Sequence, residues 1–291
     1  MLIGAHCSIA GGLSRAIERA SALGCTALQI FTRNQRQWVA KAISDMEAES
    51  FKTAVAESEI AFIVSHASYL INLGAAKETL RWKSSEALIA EVERCEALAL
   101  PAVVVHGGAH NGAGSELGIK RVAETLEEVF RRTKDCSVSI LVENTAGQGS
   151  ALGASLDELA RLLELLPEEK RLGFCIDTCH AFAAGYDICS QAKWRKFVSQ
   201  IKATIGLSRV GLFHLNDCKG TCGEKKDRHD HLGEGQMGEA AFRFLLKDER
   251  FSSVPKIIET PKEGGRSGKP SEADKLDQKN LAFIKSILEE E

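Results

Sequence analysis

Short apolar runs rich in β-branched residues recur along the chain, separated by longer segments whose apolar positions repeat with helical spacing. The runs are LIGAH (2–6), ALQIF (27–31), AFIVSH (61–66), AVVVH (102–106), SILVE (139–143), LGFCID (172–177), VGLFHLN (210–216) and KIIET (256–260). They are apolar almost throughout rather than at every second position, as parallel strands buried on both faces require. Between them, LSRAIERASALG (13–24), ETLRWKSSEALIAEVERCEALAL (78–100) and SLDELARLLELL (155–166) predict amphipathic helices. Ser155 and Glu158 predict a capping box at the start of the last. KDCS (134–137) and PEEK (167–170) read as turns between helix and strand. Strand and helix alternating eight times predict a parallel α/β sheet closed into a (β/α)8 TIM barrel, one domain over 1–291. No Pro/Gly/Ser-rich linker divides the chain, and the loosest stretch, PKEGGRSGKPSEAD (261–274), precedes a final helix.

The last polar residues of six runs change this from a fold to a site. They are His66, His106, Glu143, Asp177, His214 and Glu259, separated by 40, 37, 34, 37 and 45 residues, close to one strand–helix unit each. In such a barrel the C-terminal strand ends converge on one face, where active sites lie. Three imidazoles and three carboxylates without sulfur form a divalent-metal donor set, suited to zinc and also to manganese or iron. Six donors exceed one ion, and Glu143, central in the order, can bridge two.

The longest gap holds DRHDHLGEG (227–235). Asp227 and His229, two apart in an extended loop, point the same way. With His180, three residues beyond Asp177 in DTCH, they make three protein donors with a position left open, the pattern of a catalytic rather than a structural metal site. His231 reads as a partner of a ligand or as solvent-facing. Arg228 reads as a phosphate contact or a loop salt bridge. His6 ends the first run and could touch substrate or a ligand; His110 reads as a loop residue.

Composition narrows the class. The chain has 291 residues, 44% hydrophobic and 26% charged, enough to bury a large core. No apolar run approaches the roughly 18 residues of a membrane span. The N-terminus carries no basic segment followed by a long apolar one, so neither a signal peptide nor a membrane partner is expected, and a cytoplasmic location is. The net charge of -3 weighs against a globally basic nucleic-acid binder, although bound cations would add positive charge at one spot. The nine cysteines are odd in number and form no close-paired framework, so they read as free thiols. Cys175 with Cys179, or Cys218 with Cys222, is a weaker metal alternative.

Eight blocks in order carry a resemblance over nearly the whole chain: GAHCSIAGG (4–12), FTRNQRQW (31–38), HASYLINLG (66–74), LVENTAGQG (141–149), DTCHAFAAGYD (177–187), HLNDCKG (214–220), DRHDHLGEG (227–235) and IIETP (257–261). The chain resembles the endonuclease IV family of zinc-dependent abasic-site nucleases. The resemblance implies three zinc ions, with manganese a possible substitute. One would lie on His66, His106 and Glu143, a second on Glu143, Asp177, His214 and Glu259, and a third on His180, Asp227 and His229. It implies hydrolysis of the phosphodiester 5′ to an abasic site in duplex DNA by a metal-bound hydroxide that Glu143 and Glu259 orient. The products would be a 3′-hydroxyl and a 5′-deoxyribose phosphate, and blocked 3′ ends would also be trimmed. It further implies a DNA wedge of Arg36, Tyr69 and Leu70, and a monomer. Three positions depart from the family pattern: Ala67 where an acidic residue is usual, Gly107 where proline is common, and Ala109 where serine is common. Groups elsewhere must then orient His66 and His106.

Two other readings compete. A sugar isomerase or epimerase on the same barrel would use Glu143, Asp177, His214 and Glu259 around one ion, since fold alone does not decide function. That leaves His66, His106, His180, Asp227 and His229 without a role. A non-catalytic DNA-damage binding protein would need none of the nine donors.

Overall fold

All eight apolar runs are strands. The computed structural model describes residues 1–263 and 274–290, so most of the loose stretch 261–274 lies outside the described residues. The strands are β1 (Ile3–His6), β2 (Ala27–Ile30), β3 (Phe62–His66), β4 (Ala102–His106), β5 (Ser139–Glu143), β6 (Leu172–Asp177) and β7 (Val210–Leu215). A two-residue ribbon follows, β8 (Asp217–Cys218) antiparallel to β9 (His229–Asp230), and β10 (Lys256–Ile258) is the eighth barrel strand. Every neighbouring pair in the barrel is parallel, and β10 closes it between β7 and β1. The helices are α1 (Ser14–Ala22), α2 (Asp45–Ala56), α3 (Glu78–Ala97), α4 (Ser115–Arg132), α5 (Leu156–Leu165), α6 (Thr178–Ala184), α7 (Gln191–Thr204), α8 (Gly238–Leu246) and α9 (Lys275–Glu289). Among the described residues no helix is long and apolar enough to cross a membrane.

Two cores result. The larger lies between the strands and the surrounding helices. The smaller fills the barrel with Ala27, Val64, Ala102, Val104, Leu141, Cys175, Leu212 and Ile257. Side chains two residues apart on a strand face the same way. The inward layer above this plug is therefore Gln29, His66, His106, Glu143, Asp177, His214 and Glu259. Register keeps neighbours level: His106 pairs with Glu143 across β4 and β5, and Asp177 with His214 across β6 and β7.

The capping box at α5 is half formed. The Ser155 hydroxyl accepts from the Glu158 N–H at 3.1 Å as expected. The Glu158 carboxylate turns instead to the N–H groups of Gly153 (2.8 Å) and Ala154 (3.0 Å). Those donors lie in the loop before the helix, and bonding both satisfies more orphan N–H groups than the box would. A complete box stands at α2, between Ser44 and Glu47.

Candidate metal centre

The nine predicted donors meet at the C-terminal mouth of the barrel. Of the sets of donor atoms that gather within 4.8 Å, three contain no sulfur: His66, His106 and Glu143; Glu143, Asp177, His214 and Glu259; and His180, Asp227 and His229. Glu143 joins the first two. Its Oε2 lies 3.2 Å from His66 Nε2 and 3.3 Å from His106 Nε2, while its Oε1 lies 3.0 Å from His214 Nδ1. Glu259 Oε2 reaches the same His214 Nδ1 at 3.2 Å.

In the third set, His180 Nε2 and His229 Nε2 stand 3.4 Å apart and lie 3.4 and 3.2 Å from Asp227 Oδ1. Zinc–ligand bonds of about 2.0–2.1 Å in tetrahedral geometry separate neighbouring donors by about 3.3 Å. The trio thus already has the spacing of three corners of a zinc site.

Each strand end places its donor differently. Asp177 ends β6 and caps α6, its Oδ1 accepting from the His180 N–H at 2.7 Å, which fixes the first turn on which His180 sits. Glu259 lies one residue beyond β10, and its N–H donates to Asn216 Oδ1 at 3.0 Å. Asn216 Nδ2 in turn donates to Asp177 Oδ2 at 2.6 Å.

The second nitrogen of four histidines faces an acceptor. His66 Nδ1 lies 2.7 Å from the Ala67 carbonyl, His180 Nδ1 3.0 Å from the Asn144 carbonyl, and His229 Nδ1 3.3 Å from the Glu259 carbonyl. His214 is reversed, with Nε2 2.8 Å from Gln29 Oε1. Such partners hold the proton on one nitrogen and leave the other's lone pair toward the centre. The Ala67 departure therefore leaves His66 oriented, because its partner is a backbone carbonyl that any residue supplies.

The electrostatics fit a cation site. Among the described residues Glu143, Asp177, Asp227 and Glu259 form ion pairs with histidines alone, and none with a lysine or arginine. Burial pushes the Glu143 carboxyl up, but His106 and His214 outweigh it and hold it well below the usual carboxylate range. Asp227 and Glu259 are held low in the same way, against burial, by their histidine neighbours. Burial pulls His180, His214 and His229 down, yet nearby anionic groups win, and His229 rises to about 9. At His106 and His6 burial prevails and the imidazole is lowered. Anions this concentrated require compensating positive charge, and divalent cations held by these nine donors would supply it.

The loop 227–235 is built to present two of the donors. His229 lies in β9, held against β8. Beyond it, Asp217 accepts four backbone N–H groups: Cys218 at 2.7 Å and Met237 at 3.0 Å on Oδ1, Gly233 at 3.0 Å and Gly235 at 3.1 Å on Oδ2. A Cβ on Gly235 would lie 2.5 Å from Asp217 Oδ1, and Gly233 has φ +79°, so both positions need glycine. His231 is a partner in this scaffold, its Nδ1 3.0 Å from Asn280 Nδ2. Arg228 is exposed and forms no ion pair among the described residues. His6 sits 3.4 Å from Glu259, beside the cluster, and His110 stays in its loop, accepting from the Gly114 N–H at 3.1 Å.

Arg36, Tyr69 and Leu70 lie on two loops bordering the mouth. Arg36 is exposed, Leu70 half-buried, and Tyr69 60% exposed with its ring against Phe31, His66 and His106. The loops are buckled together by Ser68 Oγ donating to the Gln35 carbonyl at 2.5 Å. Below them Glu91, fully buried on α3, accepts from Thr32, Ser65 and Arg33, whose guanidinium also donates to the Trp38 carbonyl at 2.8 Å. All nine cysteines are free thiols and no four-sulfur set occurs among the described residues, but Cys175 gathers with Glu143 and His214, and Cys179 with Asp177 and His229, within 4.8 Å.

Sequence reasoning missed Gln29, whose amide also donates to Glu259, together with Asn216, Asp217 and Asn280. Gln29 left a signal, as the single polar residue of ALQIF.

A closed parallel barrel with a layer of imidazoles and carboxylates at its C-terminal mouth defines a barrel enzyme with a metal-type donor set. A family profile described as a xylose isomerase-like TIM barrel matches residues 17–287. A protein of Chloroflexus aurantiacus named "probable endonuclease 4" is 45% identical over 286 residues, 98% of each chain. The crystal structure of endonuclease IV from Thermus thermophilus matches with a TM-score of 0.86 and 37% identity, covering 100% of both chains. The chain belongs to the endonuclease IV family of TIM-barrel enzymes. D-psicose 3-epimerase from Clostridium cellulolyticum aligns over 99% of this chain and 100% of its own with a TM-score of 0.71 but 15% identity, which speaks for a common barrel alone.

Proposed function

We propose that this chain is a DNA repair endonuclease that hydrolyses the phosphodiester 5′ to an abasic site in duplex DNA. It leaves a 3′-hydroxyl and a 5′-deoxyribose phosphate, and it also removes 3′-blocking groups. The observation that carries the reading is the meeting of three donor sets, two of them sharing Glu143. His66, His106 and Glu143 would hold one zinc ion, Glu143, Asp177, His214 and Glu259 a second, and His180, Asp227 and His229 a third, with manganese a possible substitute. When bound, ions of this kind lower the pKa of water to about 7 and offset charge on phosphoryl oxygens.

The chain's own residues place the reactants. Glu143 and Glu259 orient the attacking water in line with the phosphorus, and the bond to the 3′ oxygen breaks. Gln29 keeps Glu259 and His214 in register, since its amide bonds both. Arg36, Tyr69 and Leu70 enter the base stack at the lesion. Unstacking costs a few kcal/mol, least at a damaged nucleotide, so the wedge favours abasic over intact duplex. A sugar epimerase built on Glu143, Asp177, His214 and Glu259 would leave the trio spaced at 3.2–3.4 Å without a task. The reading takes the whole chain, 1–291, as one catalytic domain acting as a monomer on DNA in the cytoplasm.

The test is a nicking assay on a duplex with one tetrahydrofuran abasic analogue, before and after prolonged chelation. The analogue cannot undergo β-elimination, so a nick means hydrolysis. A 3′-hydroxyl product lost on metal stripping is expected. No nick from a metal-loaded protein would shift the reading to the epimerase class.

A further inference from the structure

Two segments that supply donors, the 227–235 loop and the end of β10, come from separate parts of the chain and meet at the mouth. Their direct link is His229 Nδ1 to the Glu259 carbonyl at 3.3 Å. A second link runs through Asn280 on α9, a residue 1% exposed. Asn280 Oδ1 accepts from the Leu232 N–H at 2.9 Å, which fixes the way its amide faces. Its Nδ2 then faces Thr260 Oγ1 at 3.0 Å, His231 Nδ1 at 3.0 Å and, one turn back on its own helix, the Leu276 carbonyl at 2.8 Å. Thr260 directly follows Glu259, and His231 and Leu232 follow His229 by two and three residues. One buried amide therefore ties both donor segments to a helix that carries no donor. The stretch 219–228 ahead of His229 is almost wholly exposed, tied by the N–H groups of Gly223, Lys225 and Asp227 to Phe182, Ala183 and Gln148, and beyond His229 Asp217 takes hold only from Gly233 onward. Asn280 fills the interval between them.

We infer that Asn280 is a positioning residue for the His180, Asp227 and His229 trio, holding the loop that bears Asp227 and His229 at a set distance from Glu259. The inference rests on the reading of the mouth as a three-ion cluster. Replacing Asn280 removes the tie from 231–232 to the end of β10, leaving that part of the loop on the β8–β9 ribbon and Asp217, while His66, His106, Glu143, Asp177 and His214 stay on their strands, so one ion of three is loosened. A partner bonded directly to a metal ligand is worth about 10–100-fold in metal affinity, and Asn280, which bonds the chain beside His229 and Glu259 rather than the ligands themselves, is expected at the lower end, about 10-fold.

The experiment uses the zinc-loaded full chain and its Asn280→Leu variant. Zinc per chain is measured after desalting, and zinc release is timed with a chromogenic chelator. Ile287→Ala is the control, because Ile287 is equally buried on α9 and lends no polar bond. Three ions in the wild type are expected, with the third lost or released about 10-fold faster in Asn280→Leu. Ile287→Ala should melt at lower temperature yet keep three ions and the wild-type release rate. Thr260→Val removes one acceptor at nearly constant volume and should shift release the same way by less, even if Asn280→Leu fails to fold. Wild-type release from both Asn280→Leu and Thr260→Val overturns the inference, as does equal loss from Ile287→Ala. Fewer than three ions in the wild type overturns the cluster reading beneath it.

Discussion

Asp217→Asn tests whether the donor loop is held by one carboxylate. The side chain is fully buried, and its two oxygens accept from Cys218, Met237, Gly233 and Gly235. An amide of the same shape accepts at one oxygen only, and its NH2 would face two N–H donors. Hydrogen bonds to a charged acceptor contribute about 1.5–3 kcal/mol each, so two lost bonds amount to about 3–6 kcal/mol. Removing a buried charge offsets a few kcal/mol of that. The net cost to the loop is about 2 kcal/mol, or about a 30-fold larger open population. Hydrogen exchange reads it at two amides that do not touch Asp217: Gln236, bonded to the Cys218 carbonyl at 2.7 Å, and Lys219, bonded to the Arg228 carbonyl at 2.9 Å. Both should exchange about 30-fold faster while β4 and β5 stay protected. Unchanged protection at Gln236 and Lys219, or an equal loss throughout the barrel, would refute the reasoning.

Glu259→Gln should keep the fold and nearly abolish cleavage of the abasic duplex, and normal turnover would remove Glu259 from the chemistry. Tyr69→Ala should leave metal content unchanged and narrow the difference in binding between abasic and intact duplex; an unaltered difference would end the wedge idea. Lys256 is buried at the start of β10, donating to the carbonyls of Phe251 and Val254, and burial lowers its ammonium to about 8. An unfolded lysine titrates near 10.4, so between these values the unfolded chain binds more protons and stability rises with pH. The stability difference between the wild type and Lys256→Met should therefore grow in favour of the wild type, by about 1.5 kcal/mol from pH 8 to 9.5, in urea melts. A difference that stays flat with pH would show that Lys256 is not the group responsible.

The barrel was legible because its strands are buried on both faces. Each appears as a continuous apolar run, and the observed strands fall within the eight runs, three matching them in full and five trimmed by one or two residues. Six donors were legible because the barrel brings one residue per unit to the mouth, so chemistry repeats with the period of the fold, and His180, Asp227 and His229 were legible from their spacing within DTCH and DRHDH. Gln29 escaped because only runs ending in an imidazole or carboxylate were taken for the site, whereas inward parity decides. Counting by twos from Ala27 reaches Gln29 as surely as counting from Val64 reaches His66.

What lies outside the donors follows a different logic. His66, His180 and His229 each turn their second nitrogen to a backbone carbonyl, of Ala67, Asn144 and Glu259. A carbonyl has no identity in the sequence, so these partners leave no motif, and a change of side chain at 67 looked more consequential than its geometry makes it. Asp217 and Asn280 are the reverse case. Their side chains are specific, but they bond backbone or residues far away along the chain, and neither falls in phase with the strand ends. Glu158 shows the same freedom on a smaller scale, choosing Gly153 and Ala154 over its own cap. A buried polar group takes whichever partner satisfies it, because leaving it unpaired costs about 1–3 kcal/mol. Sequence spacing reveals donors set by the barrel's period, while the groups that aim them are set by local satisfaction and become visible only in three dimensions.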